Sequence, residues 1–424
     1  MKRHLLIYAI CLVAFITLLM DSRRLEDKTR VPIPASGKVL SMTLHRLNQG
    51  ENHLCRNDQN GTLWCWGNNL KGQLGNSRFA LQPEPQAIPF NRPFSMMEGG
   101  ADHSCALTTA GQVLCWGDPA MGVMGDGGTR AQPVIRPMTV PGLSAIVHIA
   151  SGFDGMCALD AAGKVFCWGA IGRSNSRQRA RVFRTFSRPE PMPLPEPAIH
   201  LGFGPHHACA VGDSGAAYCW GFNGRGALGD GSVTDRMQSV RVLDLPEKLA
   251  TITPGYLHTC AIAVSKRVYC WGTNIQNQLG DGLRNPAEDA QRLSPGPVPG
   301  LENIVQLSSG SSHNCALDAS GRVFCWGYNE HGSAGQDPAR YPNVPVPMPV
   351  ALEAPVVELA YNEWGMCALT MADKVYCWGS NKAKLLGARD PERPWLPVEI
   401  SFPPKPNASA YWPKPRSPGP ARKS

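Results

Sequence analysis

From about residue 39 to 402 the chain repeats one hydropathy pattern. A few alternating apolar and polar positions are broken by a glycine and then resume. Ile304-Val-Gln-Leu-Ser-Ser-Gly310 is one such stretch, followed by Cys315-Ala-Leu-Asp318 and Arg322-Val-Phe-Cys325. Alternation over so few residues, punctuated by glycine, predicts short half-buried strands joined by turns. With 44 glycines and 38 prolines the chain has the punctuation for many turns and little long helix. One stretch differs: Leu5–Met20 has no charge and follows Lys2 and Arg3. It is short for a full span but suits a signal region or short anchor. No small-residue cleavage site follows Met20, so an uncleaved signal anchor within residues 1–30 is expected, with a cleaved signal as the alternative.

The cysteines give the period. Cys11 lies in the apolar run, and the other fourteen form seven pairs with members ten apart: Cys55 and Cys65, Cys105 and Cys115, Cys157 and Cys167, Cys209 and Cys219, Cys260 and Cys270, Cys315 and Cys325, Cys367 and Cys377. First members recur every 50 to 55 residues. Within a pair the sequence reads as a hairpin, closed in the sixth copy by Ala319-Ser320-Gly321 with glycine at the left-handed turn position. Gly61, Gly111, Gly163 and Gly215 match it, while Lys266 and Asp373 do not. That register sets the two cysteines opposite each other as a non-hydrogen-bonded pair, close enough for a disulfide. Free thiols and metal ligation are the alternatives. One opposed pair supplies two ligands where structural zinc takes four. Disulfides and a signal segment agree on an oxidising compartment.

Trp-Gly follows the second cysteine in every copy: Trp66, Trp116, Trp168, Trp220, Trp271, Trp326 and Trp378. On a strand this tryptophan faces away from the cysteine, which suits a blade packed between two others. Proline-rich joints such as Pro189-Glu-Pro-Met-Pro193 and Pro345-Val-Pro-Met-Pro349 mark outer edge strands. Four strands in about 52 residues, seven times over, is an all-β seven-bladed propeller with one disulfide-bonded hairpin per blade, expected over residues 31–402. Five before the first cysteine stand Gly50, Gly100, Gly152, Gly204, Gly255 and Gly310, with Asn362 in the seventh copy. That choice suggests a left-handed turn.

The motif G-x-x-H-x-C-A-L, then G-x-V-x-C-W-G-x-N, then G-x-L-G-x-G resembles the repeat of the regulator of chromosome condensation family, across all seven copies. The resemblance implies a seven-bladed propeller. It leaves function open, because the family includes a nuclear exchange factor for a small GTPase, a plant UV-B photoreceptor and a secreted bacterial inhibitor of β-lactamases. The cysteine pairs depart from the cytosolic and nuclear members. Repeat three departs as well: after Cys167-Trp168-Gly169 the N-x-x-G-x-L-G segment is replaced by a stretch with six arginines between 173 and 188 and no acid. Arg177, Arg179, Arg181, Phe183 and Arg184 are the candidate partner-binding residues, either a recognition loop for an acidic partner or a solvated connection.

His53, His103, His207, His258 and His313 stand two before the first cysteine; Gly155 and Gly365 replace them in repeats three and seven. Each histidine is expected to bond backbone within its own blade, with a metal ring as the alternative. The net charge of +8 is misleading. Residues 1–30, 173–188 and 403–424 hold more than all of the excess, so the body is mildly acidic and nucleic acid is not an expected partner. Residues 403–424 read as a disordered, proline-rich basic tail. Asn60-Gly-Thr62 and Asn407-Ala-Ser409 are glycosylation sequons. No phosphate loop, G-x-S-x-G or H-E-x-x-H occurs, and no cofactor is expected. The expectation is a non-catalytic, monomeric, membrane-anchored extracytoplasmic scaffold for a protein or cell-surface polymer. The alternatives are a secreted enzyme inhibitor, an enzyme using the central funnel, or an exchange-like regulator.

Overall fold

A computed structural model of the chain describes residues 45–90, 93–128, 130–172, 184–283 and 290–404. The anchor Leu5–Met20 and nearly all of the basic tail lie outside the described residues. Among the described residues no helix is long and apolar enough to cross a membrane.

The described strands form seven four-stranded antiparallel sheets, each built from consecutive strands. Blade six is representative: inner strand Ile304–Ser309, second strand His313–Asp318, third strand Val323–Tyr328, outer strand Asn343–Val350. The expected register holds in every blade, with the paired cysteines directly opposite each other. All seven disulfides are formed, with Cα atoms 4.1 Å apart in each. Lys266 and Asp373 adopt the left-handed turn conformation with φ of 67° and 63°, so the hairpin keeps its shape without glycine.

The seams between blades carry most of the buried polar chemistry. All seven Trp-Gly indoles are fully buried. Six of them donate from Nε1 to a loop carbonyl of the preceding blade. The distances are 2.8 Å for Trp116 to Gln73, Trp168 to Val123 and Trp271 to Ala227, 2.9 Å for Trp326 to Gln278, and 3.1 Å for Trp66 to Leu385 and Trp378 to Ser333. The loop that supplies the carbonyl is held by its consensus asparagine. Asn69, Asn223, Asn274, Asn329 and Asn381 each accept from a backbone N–H five residues on, at 2.8–3.0 Å. Repeat three lost this loop, and Trp220 Nε1 has no partner among the described residues.

The histidines correct the expectation from sequence. Each reaches the next blade, not its own backbone. His53 Nε2 meets Ser104 Oγ at 2.7 Å, His103 meets Ser151 Oγ at 3.3 Å, and His207 meets Thr259 Oγ1 at 2.7 Å. His258 meets Asn314 Oδ1 at 2.9 Å, and His313 meets the Gly365 carbonyl at 3.2 Å. At three seams the chain of bonds runs on: Ser104, Thr259 and Asn314 donate to the same carbonyl that accepts from the tryptophan.

The glycine five before the cysteine is also explained differently. None of these glycines has positive φ. At four of them a Cβ would strike the histidine ring: 2.5 Å from His53 Cε1 for Gly50, and 2.2–2.3 Å from the matching ring for Gly100, Gly255 and Gly310; on Gly204 it would strike the Gly255 carbonyl, 2.4 Å away. Glycine is required for close approach, not for a turn. The two exceptional repeats fill the missing ring another way. In repeat seven the Asn362 amide lies against Gly365, 3.0 Å from where a Cβ would be. In repeat three the Phe203 ring, from the inner strand of blade four, comes within 2.7 Å of a Cβ on Gly152.

Blades seven and one close the ring through side chains. Glu358 accepts from the backbone N–H of Arg46 and Leu47 at 3.0 and 3.2 Å and contacts His45 at 3.0 Å. Arg46 and Arg56 both pair with Asp373. Phe402 packs edge-on against Trp64 and Trp66.

Removing a buried donor that has an acceptor costs about 1–2 kcal/mol, because the carbonyl is stranded as well. Trp168→Phe, at a seam where no serine, threonine or asparagine shares the carbonyl, should therefore destabilise by about that much more than Trp220→Phe. Urea unfolding of the two oxidised variants checks this, and equal losses would contradict the seam account.

Candidate functional site

One face of the disc is formed by the turns between inner and second strands and by the loops between third and outer strands. On that face every blade makes the same backbone bond. The carbonyl three before the first cysteine accepts from the N–H just after Trp-Gly, at 2.8–3.0 Å in all seven copies, as in Asn68 N to Asn52 O and Ser380 N to Trp364 O. Neighbouring turns are also linked. Glu51 N donates to Gly100 O at 3.2 Å, Ala101 N to Phe153 O at 3.0 Å, Ser311 N to Glu363 O at 3.3 Å, and Glu363 N to Glu51 O at 2.8 Å.

This fixed frame carries side chains that share no consensus. Around the ring the two turn residues are Glu51-Asn52, Ala101-Asp102, Phe153-Asp154, Pro205-His206, Tyr256-Leu257, Ser311-Ser312 and Glu363-Trp364. On this face blades seven, one, two and three carry carboxylates, and blades three, four, five and seven carry rings. Burial raises the Glu51 carboxyl well above its ordinary range, helped by the charges of Glu363, Asp154 and Asp102. Asp102 is raised by burial and by Asp118, against the pull of Lys71 and a 2.9 Å bond from Gln73 Nε2. Glu363 is raised by burial. Glu51 is 4% exposed, and its Oε2 has no partner among the described residues. Trp364 stands edge-on to Tyr328 and His331, and His206 is sandwiched between Tyr256 and Phe222. The Tyr328 hydroxyl, partly buried and bonded to Glu330, is pushed up to about 12.

Blade three adds an arm. Its third strand, Val165–Ile171, runs two residues past Trp-Gly and stays paired with the outer strand Arg184–Met192 as far as Ile171 opposite Arg184. In the other blades the third strand stops at the glycine or one residue beyond. The extension therefore rises on the face that holds the turns. Arg184 is exposed at its base, with its guanidinium 4.6 Å over the Phe186 ring. Arg177, Arg179, Arg181 and Phe183 lie outside the described residues. Sequence reading singled out this arm because its composition broke the repeat. It missed the turn pairs, whose signal is variation between invariant flanks.

Blades, seams and a variable loop face define a seven-bladed repeat propeller. The RCC1-like domain model matches residues 22–361, and the chain belongs to that family. It is 31% identical over 215 residues to protein pim1 of Schizosaccharomyces pombe, covering 46% of this chain and 39% of that protein. It is 28% identical to the bovine secretion-regulating guanine nucleotide exchange factor, with 48% of each covered. The chain thus spans less than half the length of these relatives. Among solved structures, Prp20p of Saccharomyces cerevisiae superposes with a TM-score of 0.71 at 18% identity, covering 87% of this chain and 88% of that one. Human WBSCR16 gives 0.69 at 19%, covering 81% and 95%.

A buried carboxylate among like charges costs stability at neutral pH. Glu51→Gln should raise the thermal midpoint at pH 7.5, by on the order of 1 kcal/mol. The gain should shrink as pH falls and wild-type Glu51 takes up its proton. A lower midpoint for the variant would show that the carboxylate is a structural acceptor.

Proposed function

We propose that the protein is a non-catalytic recognition propeller, held on the extracytoplasmic side of a membrane by Leu5–Met20, whose loop face binds a protein or cell-surface polymer. The observation that carries this reading is the pairing of an invariant backbone frame with fourteen turn positions of unrelated side chains. A rigid scaffold whose half-buried and buried turn residues differ from blade to blade suits a recognition surface. Aromatic rings beside carboxylates, as at Trp364 and Glu363, supply the anchor residues that dominate binding energy. The compartment is argued from seven disulfides and the uncharged run, which agree with secretion. The arm of blade three, with Arg177, Arg179, Arg181, Phe183 and Arg184, is proposed as a second grip for acidic groups on the same partner.

A second reading, an exchange-like regulator of a small GTPase, is favoured by the name of the bovine relative. It places the protein in a reducing compartment, where the disulfides would not persist.

Photo-crosslinking from full-length protein in its native membrane separates these readings. A crosslinker at Trp364 or Asp154 should yield one shared adduct, and one at Ala162, in a hairpin turn on the opposite face, should not. Thiol labelling of the unreduced, denatured protein should find at most Cys11 free. Adducts from Ala162 alone would overturn the face assignment, and fourteen free thiols would overturn the compartment.

A further inference from the structure

The outer strand of each blade is an edge, and an unpaired edge invites another strand. The backbone alternates. Val242 N–H points inward, donating to Ala217 O at 2.9 Å, as do Val140 N–H to Val113 O and Val298 N–H to Val268 O. Residues two apart point the same way, so the residue just before the partner of the second cysteine points its amide outward. Those partners are Gln86, Met138, Glu190, Val240, Gly296, Met348 and Val398. The outward position before them is Pro85, Pro137, Pro189, Pro295, Pro347 and Pro397 in six blades. Proline there has no N–H to offer and costs the blade nothing. Blade four alone has Ser239.

Six blades offer no N–H at this register, on the outer strand in five and one residue before Val398–Ile400 in the seventh, and blade four does. Ser239 carries a backbone N–H where the other blades, having proline, can use none in the ladder, and its hydroxyl donates to Pro193 O at 2.8 Å. The open strand, Arg236–Arg241, has no proline and carries an arginine at each end. It adjoins the outer strand of blade three, where Arg184 and Arg188 are exposed. Arg236 is paired with Asp230. Arg184, Arg188 and Arg241 have no carboxylate partner among the described residues.

We propose that the outer strand of blade four is a strand-acceptor edge, on which an extended, acidic segment of a partner protein adds as a fifth strand. Main-chain bonds to the outward amides of Ser239 and Arg241 would supply the affinity. The arginines select acidic side chains at alternate positions of the incoming strand. This surface lies on the rim, not on the loop face; it shares Arg184 with the second grip proposed above, and its test turns on the backbone of Ser239.

The probe is a fluorescent ten-residue peptide alternating glutamate with valine, titrated into the oxidised full-length protein. Binding is expected, together with slowed amide exchange at Ser239 and Arg241. Ser239→Pro should weaken it by about tenfold or more with an unchanged melt, since six blades already hold proline there. Pro295→Ser, which opens the edge of blade five, should create a second site of exchange protection. If Ser239→Pro does not fold, Arg236→Glu with Arg241→Glu provides the same comparison and should also weaken binding about tenfold. Absence of binding, or equal binding by the variants, would overturn the assignment. So would a wild-type dimer dispersed by Ser239→Pro, because the occupant would then be a second copy of this chain.

Discussion

Neighbouring blades are joined by neutral buried rings that each require one acceptor on the other side. No disulfide among the described residues crosses a seam: each joins cysteines ten apart inside its own blade. The disulfides restrict the unfolded chain and lock each hairpin, but they cannot hold one blade to the next. That task falls to apolar packing, to the indole N–H of the Trp-Gly pairs, and to five histidines, four of them laid against glycine. An imidazole at a fully buried seam stays neutral, because burial disfavours its charged form. Four of the five have no partner for Nδ1 among the described residues, so a second proton there would be a buried charge without an acceptor.

The loop face inherits its geometry from these seams. Each turn hangs between the glycine beneath the histidine and the bond from the residue after Trp-Gly, so its backbone is fixed at both ends. Side chains on it can change without moving their neighbours. This explains how carboxylates on four blades and rings on four blades coexist on one frame. It also explains why blade three could replace its consensus loop with a longer strand pair. Among the described residues Trp220 Nε1 has no acceptor, a difference confined to one seam. Closing six outer edges with proline while leaving blade four open has the same local character.

Much of this was legible in the sequence. The cysteine spacing alone set the blade count, the hairpin register and the disulfide pairing, because strand alternation allows only one arrangement of opposed residues. The outer strands were legible from proline. Two features were misread, for the same physical reason. Gly50 and its equivalents suggested positive φ, and His53 and its equivalents suggested bonds within a blade. Each is explained by a residue on another strand or another blade, and a repeat aligned on itself cannot show what its copies do to each other. The turn pairs were passed over because a consensus draws the eye to what is constant. The arm of blade three was found because it broke that consensus.

The claim that neutral histidines hold the ring has a defined pH signature. His53, His258 and His313 are lowered to about 4, and His103 and His207 to about 3, by burial. His148 and His200 on the inner strands are lowered likewise, to about 3 and about 4. A base whose folded value is depressed stabilises the fold above its unfolded value near 6.5, and that contribution is lost as pH falls toward the folded value. Each such histidine can contribute up to about 1.4 kcal/mol per pH unit in that window. His45, raised by Glu358, and the raised carboxyls of Glu51, Asp102 and Glu363 act in the opposite sense but are fewer. The direct measurement is the urea midpoint of the oxidised protein between pH 7.5 and 5, for wild type and for His258→Gln, which can still donate to Asn314. The midpoint should fall with pH, and fall less steeply in the variant. A flat wild-type profile, or the same slope in both, would contradict the claim.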